Sequence, residues 1–214
     1  MNYEQMNNNR VFLTGKIVTE PRFSHESFGE AFYEVDLEVE RLSQNVDIIP
    51  ITISEKLMTN DAVAIGKEVS IKGQFRSYNK SDSVKSHLML TVFVREVCQP
   101  QRDMSSNIIE MTGYVCKSPV YRTTPFKREI CDVLIAVNRA YNKSDYIPCI
   151  AWGRNARFIK DAQVGDKVSL VGRIQSRVYQ KRLENGDIED RTAYEVSVGR
   201  IALENVSEII EDAL

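Results

Sequence analysis

The chain has 214 residues, of which 43% are hydrophobic and 27% charged, a composition typical of one or two globular domains. No apolar run approaches the roughly 20 residues that span a bilayer, and the first ten residues are too polar for a secretory signal, so we predict no membrane association. The net charge of −2 argues weakly against nucleic-acid binding, yet residues 107–203 carry 16 basic and 11 acidic side chains, against 12 and 15 in residues 1–106.

Cysteine and histidine provide little material for a metal or catalytic site. The four cysteines show no C-x-x-C spacing, and Cys131 and Cys149 lie in apolar, strand-like patterns, where a free thiol behaves as a small core residue. Only two histidines occur, His25 and His87. We therefore expect reduced cysteines, a cytoplasmic location, and neither a metal nor a cofactor.

An internal repeat divides the chain. Val11–Gly15 matches Ile109–Gly113 at an offset of 98 residues, and Gly66–Gly73 matches Gly165–Gly172 at an offset of 99. The first offset also pairs Arg41 with Arg139, Asp47 with Asp145, Ile49 with Ile147 and Pro50 with Pro148. Each copy is about 95 residues long, which is enough to hold its own core.

Both copies show the same order of predicted elements: three strands, a short helix, and two further strands. In the first copy the strands are predicted near 10–19, 32–41, 47–54, 67–79 and 87–97, with the helix at 55–64. In the second copy they are predicted near 108–117, 129–140, 146–152, 166–181 and 191–203, with the helix at 153–162. Loops that carry Pro21 and Pro119 follow the first strands.

Five strands with a helix between the third and the fourth describe the OB-fold, a closed five-stranded barrel that binds oligonucleotides on one face. The sequence therefore predicts an all-β chain of two tandem OB-fold barrels. The first domain is predicted over 1–104, the second over 105–203, and an acidic C-terminal tail over 204–214.

The third strand of the second copy carries two separated aromatic residues. With period two, Ile147, Cys149 and Ala151 share one small, apolar face, whereas Tyr146 and Trp152 lie on the other face with Pro148 and Ile150. A strand rises about 3.4 Å per residue, so the two rings stand roughly 20 Å apart. On the fourth strand, Arg173, Gln175, Arg177 and Tyr179 share a face opposite Val168, Leu170, Ile174 and Val178. Flat rings beside positive charge suit unstacked bases and phosphates.

Three blocks of the second copy resemble the bacterial and phage single-stranded DNA-binding proteins. They are Val133–Tyr141, Asp145–Trp152 (Asp-Tyr-Ile-Pro-Cys-Ile-Ala-Trp), and Gly165–Tyr179 with its Gly-Arg-Ile-x-Ser-Arg-x-Tyr ending. The resemblance covers about 108–203 and implies capture of a single strand, with no catalysis. It places stacking positions at Tyr141, Tyr146, Trp152 and Tyr179.

Basic side chains near these positions are expected to neutralise phosphates and to make binding depend strongly on salt. In the second copy they are Arg139, Arg154, Arg173, Arg177, Lys181 and Arg182. In the first copy Lys72 and Arg76 share a strand face with Tyr78, and these three residues are predicted to contribute a phosphate contact and one stack.

The two copies differ at the stacking positions, so we expect the second to bind and the first mostly to build the assembly. In the first copy Ser43, Ile48 and Ser54 replace Tyr141, Tyr146 and Trp152, and only Tyr78 keeps a ring, at the position of Tyr179. An alternative is that first-copy aromatic residues restore the platform from loops; the candidates are Phe23, Phe28 and Tyr33.

The resemblance also implies partners. Family members assemble four OB-folds, which a two-copy chain reaches as a homodimer, although pairing of the two copies within one chain stays an alternative. The acidic tail predicts either recruitment of replication proteins or a frayed end or short helix, since the family's terminal Pro-Phe is absent.

Two other functions stay open from the sequence. The first is an accessory module whose barrels mainly bind protein in a replication or primosome assembly, because OB-folds support both roles. The second is an enzyme, which is disfavoured because the clustered acids Asp187, Glu189 and Asp190 fall in a predicted hairpin loop, where they indicate solubilising charge.

Overall fold

The structure, a computed structural model, describes residues 7–41, 43–58, 63–81, 86–100, 105–182 and 186–204. These residues form two compact units. The first-repeat unit comprises Arg10–Ile109 and Ile174–Glu195. The second-repeat unit comprises Glu110–Arg173, with the described residues up to Asn9 and those from Val196 onward. The predicted tail lies beyond the described residues, apart from Glu204.

Six strands of the first repeat build the barrel of the first-repeat unit. They are β1 (Asn9–Ile17), β2 (Arg22–Ser27), β3 (Glu30–Glu40), β4 (Val46–Ser54), β5 (Glu68–Ser81) and β6 (Ser86–Cys98). Strand β1 pairs with both β3 and β5, β3 pairs with β4, β4 runs parallel to β6, and β6 pairs with β5. The pairings therefore return to β1 and form a closed ring, with β2 as an extra hairpin strand on β3.

The second repeat repeats this ring with five strands. They are β7 (Asn107–Thr123), β8 (Glu129–Arg139), β9 (Lys143–Trp152), β10 (Lys167–Arg182) and β11 (Ile188–Glu204). Strand β7 pairs with β8 and β10, β8 pairs with β9, β9 runs parallel to β11, and β11 neighbours β10. Strand β10 contributes Lys167–Arg173 to the second-repeat unit and its remainder to the first-repeat unit.

The core of each ring consists of alternate strand residues, as period two requires. In the first repeat Val35, Leu37 and Val39 of β3 are fully buried. In the second, Ile135 and Val137 of β8 are fully buried as well. Each side chain of this size contributes roughly 1.5–3 kcal/mol when it is removed from water, so the alternating pattern both selects the strand and fixes its register.

Four local predictions are wrong or incomplete. The loop predicted around Pro21 contains β2, and the loop predicted around Pro119 is part of β7, which runs on to Thr123 because it pairs with β8 across two register shifts. The helix predicted over 153–162 is shorter, α1 (Arg154–Ile159), and buries Ala156 and Ile159. Of the helix predicted over 55–64, the structure shows one 3-10 turn, Glu55–Leu57, and residues 59–62 lie outside the described residues.

The described residues were predicted to contain neither a membrane-spanning segment nor a metal site, and two structural features bear on these predictions. No helix in that part of the chain is long and apolar enough to cross a membrane. Within the same residues, no group of three or more histidine, cysteine or acidic side chains could hold a metal ion.

Candidate nucleic-acid interface

Strand β9 presents two rings on the outer face of the second-repeat unit. Ile147 and Ala151 are fully buried and Cys149 nearly so, whereas Tyr146 is 47% exposed and Trp152 38% exposed. The face assignment predicted for both rings is therefore correct. Ile150, which was predicted on the same outer face, is buried, so that part of the face assignment is wrong.

The end of β9 fixes the position of Trp152. Gly153 follows it with φ 51° and ψ −115°, a backbone conformation that favours glycine, and its N–H donates to the Glu129 carbonyl at 2.9 Å. The chain then turns into α1, whose first residue, Arg154, is exposed. The Arg154 side chain makes no ion pair or hydrogen bond with any described residue, and its contact with a phosphate stays a prediction.

Tyr141 lies in a one-turn 3-10 helix, Ala140–Asn142, between β8 and β9. Its backbone adopts φ 61° and ψ 36°, a left-handed conformation that costs a non-glycine residue on the order of 1–3 kcal/mol. Its ring is 84% exposed, so no burial of the ring compensates for that cost. A strained turn that holds an aromatic ring in solvent is the arrangement expected of a stacking position.

Arg139 differs from the other predicted phosphate ligands because it already has a buried partner. Its Nε lies 3.2 Å from Oδ2 of Asp145, whose side chain is fully buried. The same ion pair joins Arg41 and Asp47 in the first repeat, at the positions that the sequence repeat makes equivalent. A phosphate contact by Arg139 stays a prediction; its observed contact is structural.

The outer part of β10 carries Arg177 and Tyr179 in the first-repeat unit. The Arg177 guanidinium lies 5.7 Å from the centre of the Tyr179 ring, within cation–π range, and Tyr179 is 37% exposed. Val178, predicted on the core face, is 67% exposed because the strand has left the core by this point. Lys181 and Arg182 make no ion pair with any described residue, and neither does Arg173, which is half-buried in the second-repeat unit.

The predicted first-repeat contacts on β5 are all engaged with neighbouring side chains. Lys72 forms an exposed ion pair with Glu96 at 3.0 Å. Arg76 lies over the Phe93 ring at 3.9 Å and donates to the Gln74 side chain at 2.8 Å. Tyr78 donates its hydroxyl hydrogen to Glu34 at 3.0 Å. A phosphate would have to compete with these contacts.

Sequence reasoning missed an aromatic ladder in the first repeat. His25 stacks on Phe32 at 5.0 Å and 10°, and Phe32 contacts Phe93 at 5.5 Å. Arg76 and Arg95 lie on the Phe93 ring at 3.9 and 5.1 Å. Period two could have placed Phe93 on the outer face, because its strand neighbours Val92 and Val94 are buried.

The aromatic residues considered as an alternative platform do not join this ladder, and the prediction that they lie in loops is wrong for Phe23, which lies in β2, and Tyr33, which lies in β3. Phe23 packs edge-on against Tyr33 at 6.0 Å, and Phe28 is fully exposed at a backbone φ of 51°. Whether the ladder or the loops bind bases stays a prediction.

Tyr78 is expected to ionise late. Burial, together with the hydrogen bond that its hydroxyl donates to Glu34 at 3.0 Å, raises the pKa of Tyr78 to about 12. Because the neutral phenol is favoured in the folded state, its contribution to stability is present below pH 10 and is lost as the pH rises towards 12. The tyrosinate absorbance of the parent minus that of Tyr78→Phe, read directly after a pH jump, should have its midpoint near 12. A midpoint near 10 would contradict the partly buried, hydrogen-bonded placement.

Comparisons with known proteins agree with this geometry. The model of the single-strand binding protein family matches residues 106–203. Single-stranded DNA-binding proteins 1 and 2 of two Staphylococcus aureus strains are each 30% identical over 83 residues, covering 36% of this chain and 50% of theirs. The chain thus spans about half the length of the curated relatives that it matches.

Two solved structures resemble nearly the whole chain. The wild-type single-stranded DNA binding protein from Thermus aquaticus matches with a TM-score of 0.65 and 19% identity, covering 92% of this chain and 93% of that one. A deletion mutant of the same protein matches with a TM-score of 0.68 and 17% identity, covering 92% and 94%. With the two rings of strand pairings, this likeness confirms the predicted all-β fold of two tandem OB-folds.

Proposed function

We propose that this protein binds single-stranded DNA without marked sequence preference, in replication, recombination or repair, and the match of residues 106–203 to the single-strand binding protein family supports this proposal. The observation that carries the proposal is the outer face of β9. There the rings of Tyr146 and Trp152 are partly exposed to solvent, whereas Ile147, Cys149 and Ala151 between them are buried.

The proposed mechanism is capture by stacking and charge. Each base that stacks on an aromatic side chain contributes roughly 1–3 kcal/mol, and every base has a flat face, so sequence matters little. Phosphates are neutralised by those predicted phosphate ligands that have no ion-pair partner among the described residues: Arg154, Arg173, Arg177, Lys181 and Arg182. Duplex DNA hides its base faces, which accounts for a preference for single strands.

Titration with oligo-dT, followed by quenching of the sole tryptophan, Trp152, tests the proposal. We expect binding to weaken with salt, with log K falling by about 0.7 per neutralised phosphate for each unit of log salt, so three to five contacts give a slope of roughly −2 to −3.5. A duplex of the same length should compete poorly. Equal affinity for duplex and single-stranded DNA, or an affinity that does not change with salt concentration, would refute the proposal.

Affinity for oligo-dT that is micromolar or weaker would instead favour the second function considered above, an accessory module that mainly binds protein. A cytoplasmic location and recruitment of replication proteins by the acidic tail stay predictions.

We expect a homodimer in solution. The family resemblance implies an assembly of four OB-folds. Because each chain contains two OB-folds, that assembly contains two chains. Light scattering at micromolar concentration should report twice the chain mass of 24.5 kDa. A monomeric mass would contradict the dimer and leave pairing of the two repeats within one chain as the explanation.

A further inference from the structure

A buried carboxylate in the first repeat has a contact that the binding face does not explain. Asp47 of β4 is fully buried, and Arg41 Nε donates to its Oδ2 at 2.7 Å. Its Oδ1 also accepts from the backbone N–H of Ser176 at 2.6 Å and from the Ser176 hydroxyl at 3.0 Å. Arg41 Nη2 donates in turn to the Ser176 carbonyl at 3.1 Å. The ion pair therefore holds all three polar groups of one β10 residue.

This contact replaces a neighbouring strand. In a β-strand the N–H and C=O of one residue point to the same edge, where a partner strand would supply an acceptor and a donor. Here Asp47 supplies the acceptor and Arg41 the donor. Two residues earlier, Asn107 does the same for Ile174, with its Oδ1 accepting at 2.9 Å and its Nδ2 donating at 2.7 Å. Side chains thus fix this edge of β10 at two successive positions.

The basic segment of the strand begins directly after this anchor. Arg177 follows Ser176, and its guanidinium lies over the ring of Tyr179 on the same strand. The side chains of Lys181 and Arg182 make no ion pair or hydrogen bond with any described residue. The last side-chain anchors before these residues are therefore Gln175, which donates to Glu195 at 2.7 Å, and Ser176.

We propose that Asp47 is a positioning residue for nucleic-acid binding: through Ser176 it sets where the basic segment 177–182 presents its charges to phosphates. The proposal rests on the proposed function, because it assigns a role within single-stranded DNA binding. Segment 177–182 follows the Gly-Arg-Ile motif of the second repeat, but Asp47 belongs to the first repeat. The first repeat, which lacks three of the stacking rings, would thus contribute to binding by positioning this segment.

The test removes the anchor while keeping the fold. Replacing a buried ion pair by apolar residues of similar size is often neutral or stabilising, so Arg41→Met/Asp47→Leu is the principal variant. Ser176→Ala, which leaves the ion pair in place, removes one hydrogen bond. Arg122→Met/Asp132→Leu is the matched control, because it removes an exposed ion pair on β7 and β8.

The first measurement uses no DNA. Limited trypsin digestion reports opening of the segment at Arg177, Lys181 and Arg182, and cleavage follows the population of the open form when closing is fast. We expect Ser176→Ala to speed this cleavage about two- to tenfold, as the net loss of one hydrogen bond implies. The double variant should speed it by more than tenfold, and the control should leave it unchanged.

The second measurement is the salt dependence of oligo-dT binding. If the segment is displaced, two or three phosphate contacts are lost, and the salt slope should fall by roughly 1.4–2.1. A purely structural loss of active protein would lower the bound fraction without changing the slope. Arg177→Ala should weaken binding less in the double variant than in the parent, since its contact is already lost.

The outcomes separate this proposal from the proposed function. If the variants are cleaved faster than the parent and the parent does not bind oligo-dT, the anchor is supported and single-stranded DNA binding is refuted. A parent that binds, with unchanged cleavage and slope in the double variant, overturns the positioning role. If the double variant does not fold, Ser176→Ala decides, and unchanged cleavage and slope there overturn it equally.

Discussion

An Asp47→Ala variant is expected to lose about 3–5 kcal/mol of unfolding free energy, the usual cost of breaking a buried ion pair by removing one partner. The substitution leaves the Arg41 guanidinium, which is 21% exposed, without its carboxylate and the Ser176 N–H without its acceptor. Urea unfolding at neutral pH should show a lower midpoint with an unchanged slope. Asp132→Ala is the matched control, because its ion pair with Arg122 is exposed and should contribute no more than about 1 kcal/mol.

The effect of Asp47 should depend on pH in one direction. Burial alone would raise its pKa, but hydrogen bonds from Arg41 and Ser176 outweigh burial and hold the pKa of Asp47 below its ordinary value. A lowered pKa in the folded state stabilises the protein above the ordinary value, which is about 3.9, and this contribution is lost as the pH falls below it. The difference between the parent and Asp47→Ala should therefore shrink in acid. A constant difference down to pH 3, or equal losses in the two alanine variants, would contradict the assignment.

The Tyr146→Ala/Trp152→Ala variant is expected to weaken binding of single-stranded DNA by roughly 2–6 kcal/mol, because each lost stack costs about 1–3 kcal/mol. Unfolding stability should change little, since both rings lie on the outer face of β9. The variant has no tryptophan, so anisotropy of a labelled oligonucleotide replaces quenching as the measurement.

Two further variants show whether the loss belongs to this face. Phe126→Ala removes an 88% exposed ring in the turn between β7 and β8 and should bind normally. Phe93→Ala removes the centre of the first-repeat ladder and should also bind nearly normally if the repeats are unequal as predicted. A loss at Phe93 as large as at Trp152 would mean that both repeats bind. A collapse of stability in the double variant would show that the rings belong to the core.

The sequence was sufficient for features that depend on neighbours along the chain. Alternation placed Ile147, Cys149 and Ala151 in the core and Tyr146 and Trp152 outside it, because side chains in any strand alternate between two faces. The internal repeat supported these predictions, because the same order of strands was predicted independently in each copy. The closed rings followed from the element order of the OB-fold.

Features that depend on contacts distant in the chain were not predicted. The repeat alignment paired Arg41 with Arg139 and Asp47 with Asp145, but no local pattern shows that these residues form buried ion pairs. The exposure of Val178 has the same origin, because alternation continues along a strand after the core on one side has ended. Burial there is decided by what packs against the strand.

The division of β10 and β11 between the units has a consequence for protein synthesis. The first-repeat unit is complete only with Ile174–Glu195, whereas the rest of it ends at Ile109. At about 5–20 residues per second, a ribosome needs roughly 4–17 s to add the 86 residues from 110 to 195. During that interval the nascent first repeat must hold Arg41 and Asp47 in place without Ser176. Their ion pair lies within the β3–β4 hairpin and is therefore a local contact that can form before β10 has been synthesised.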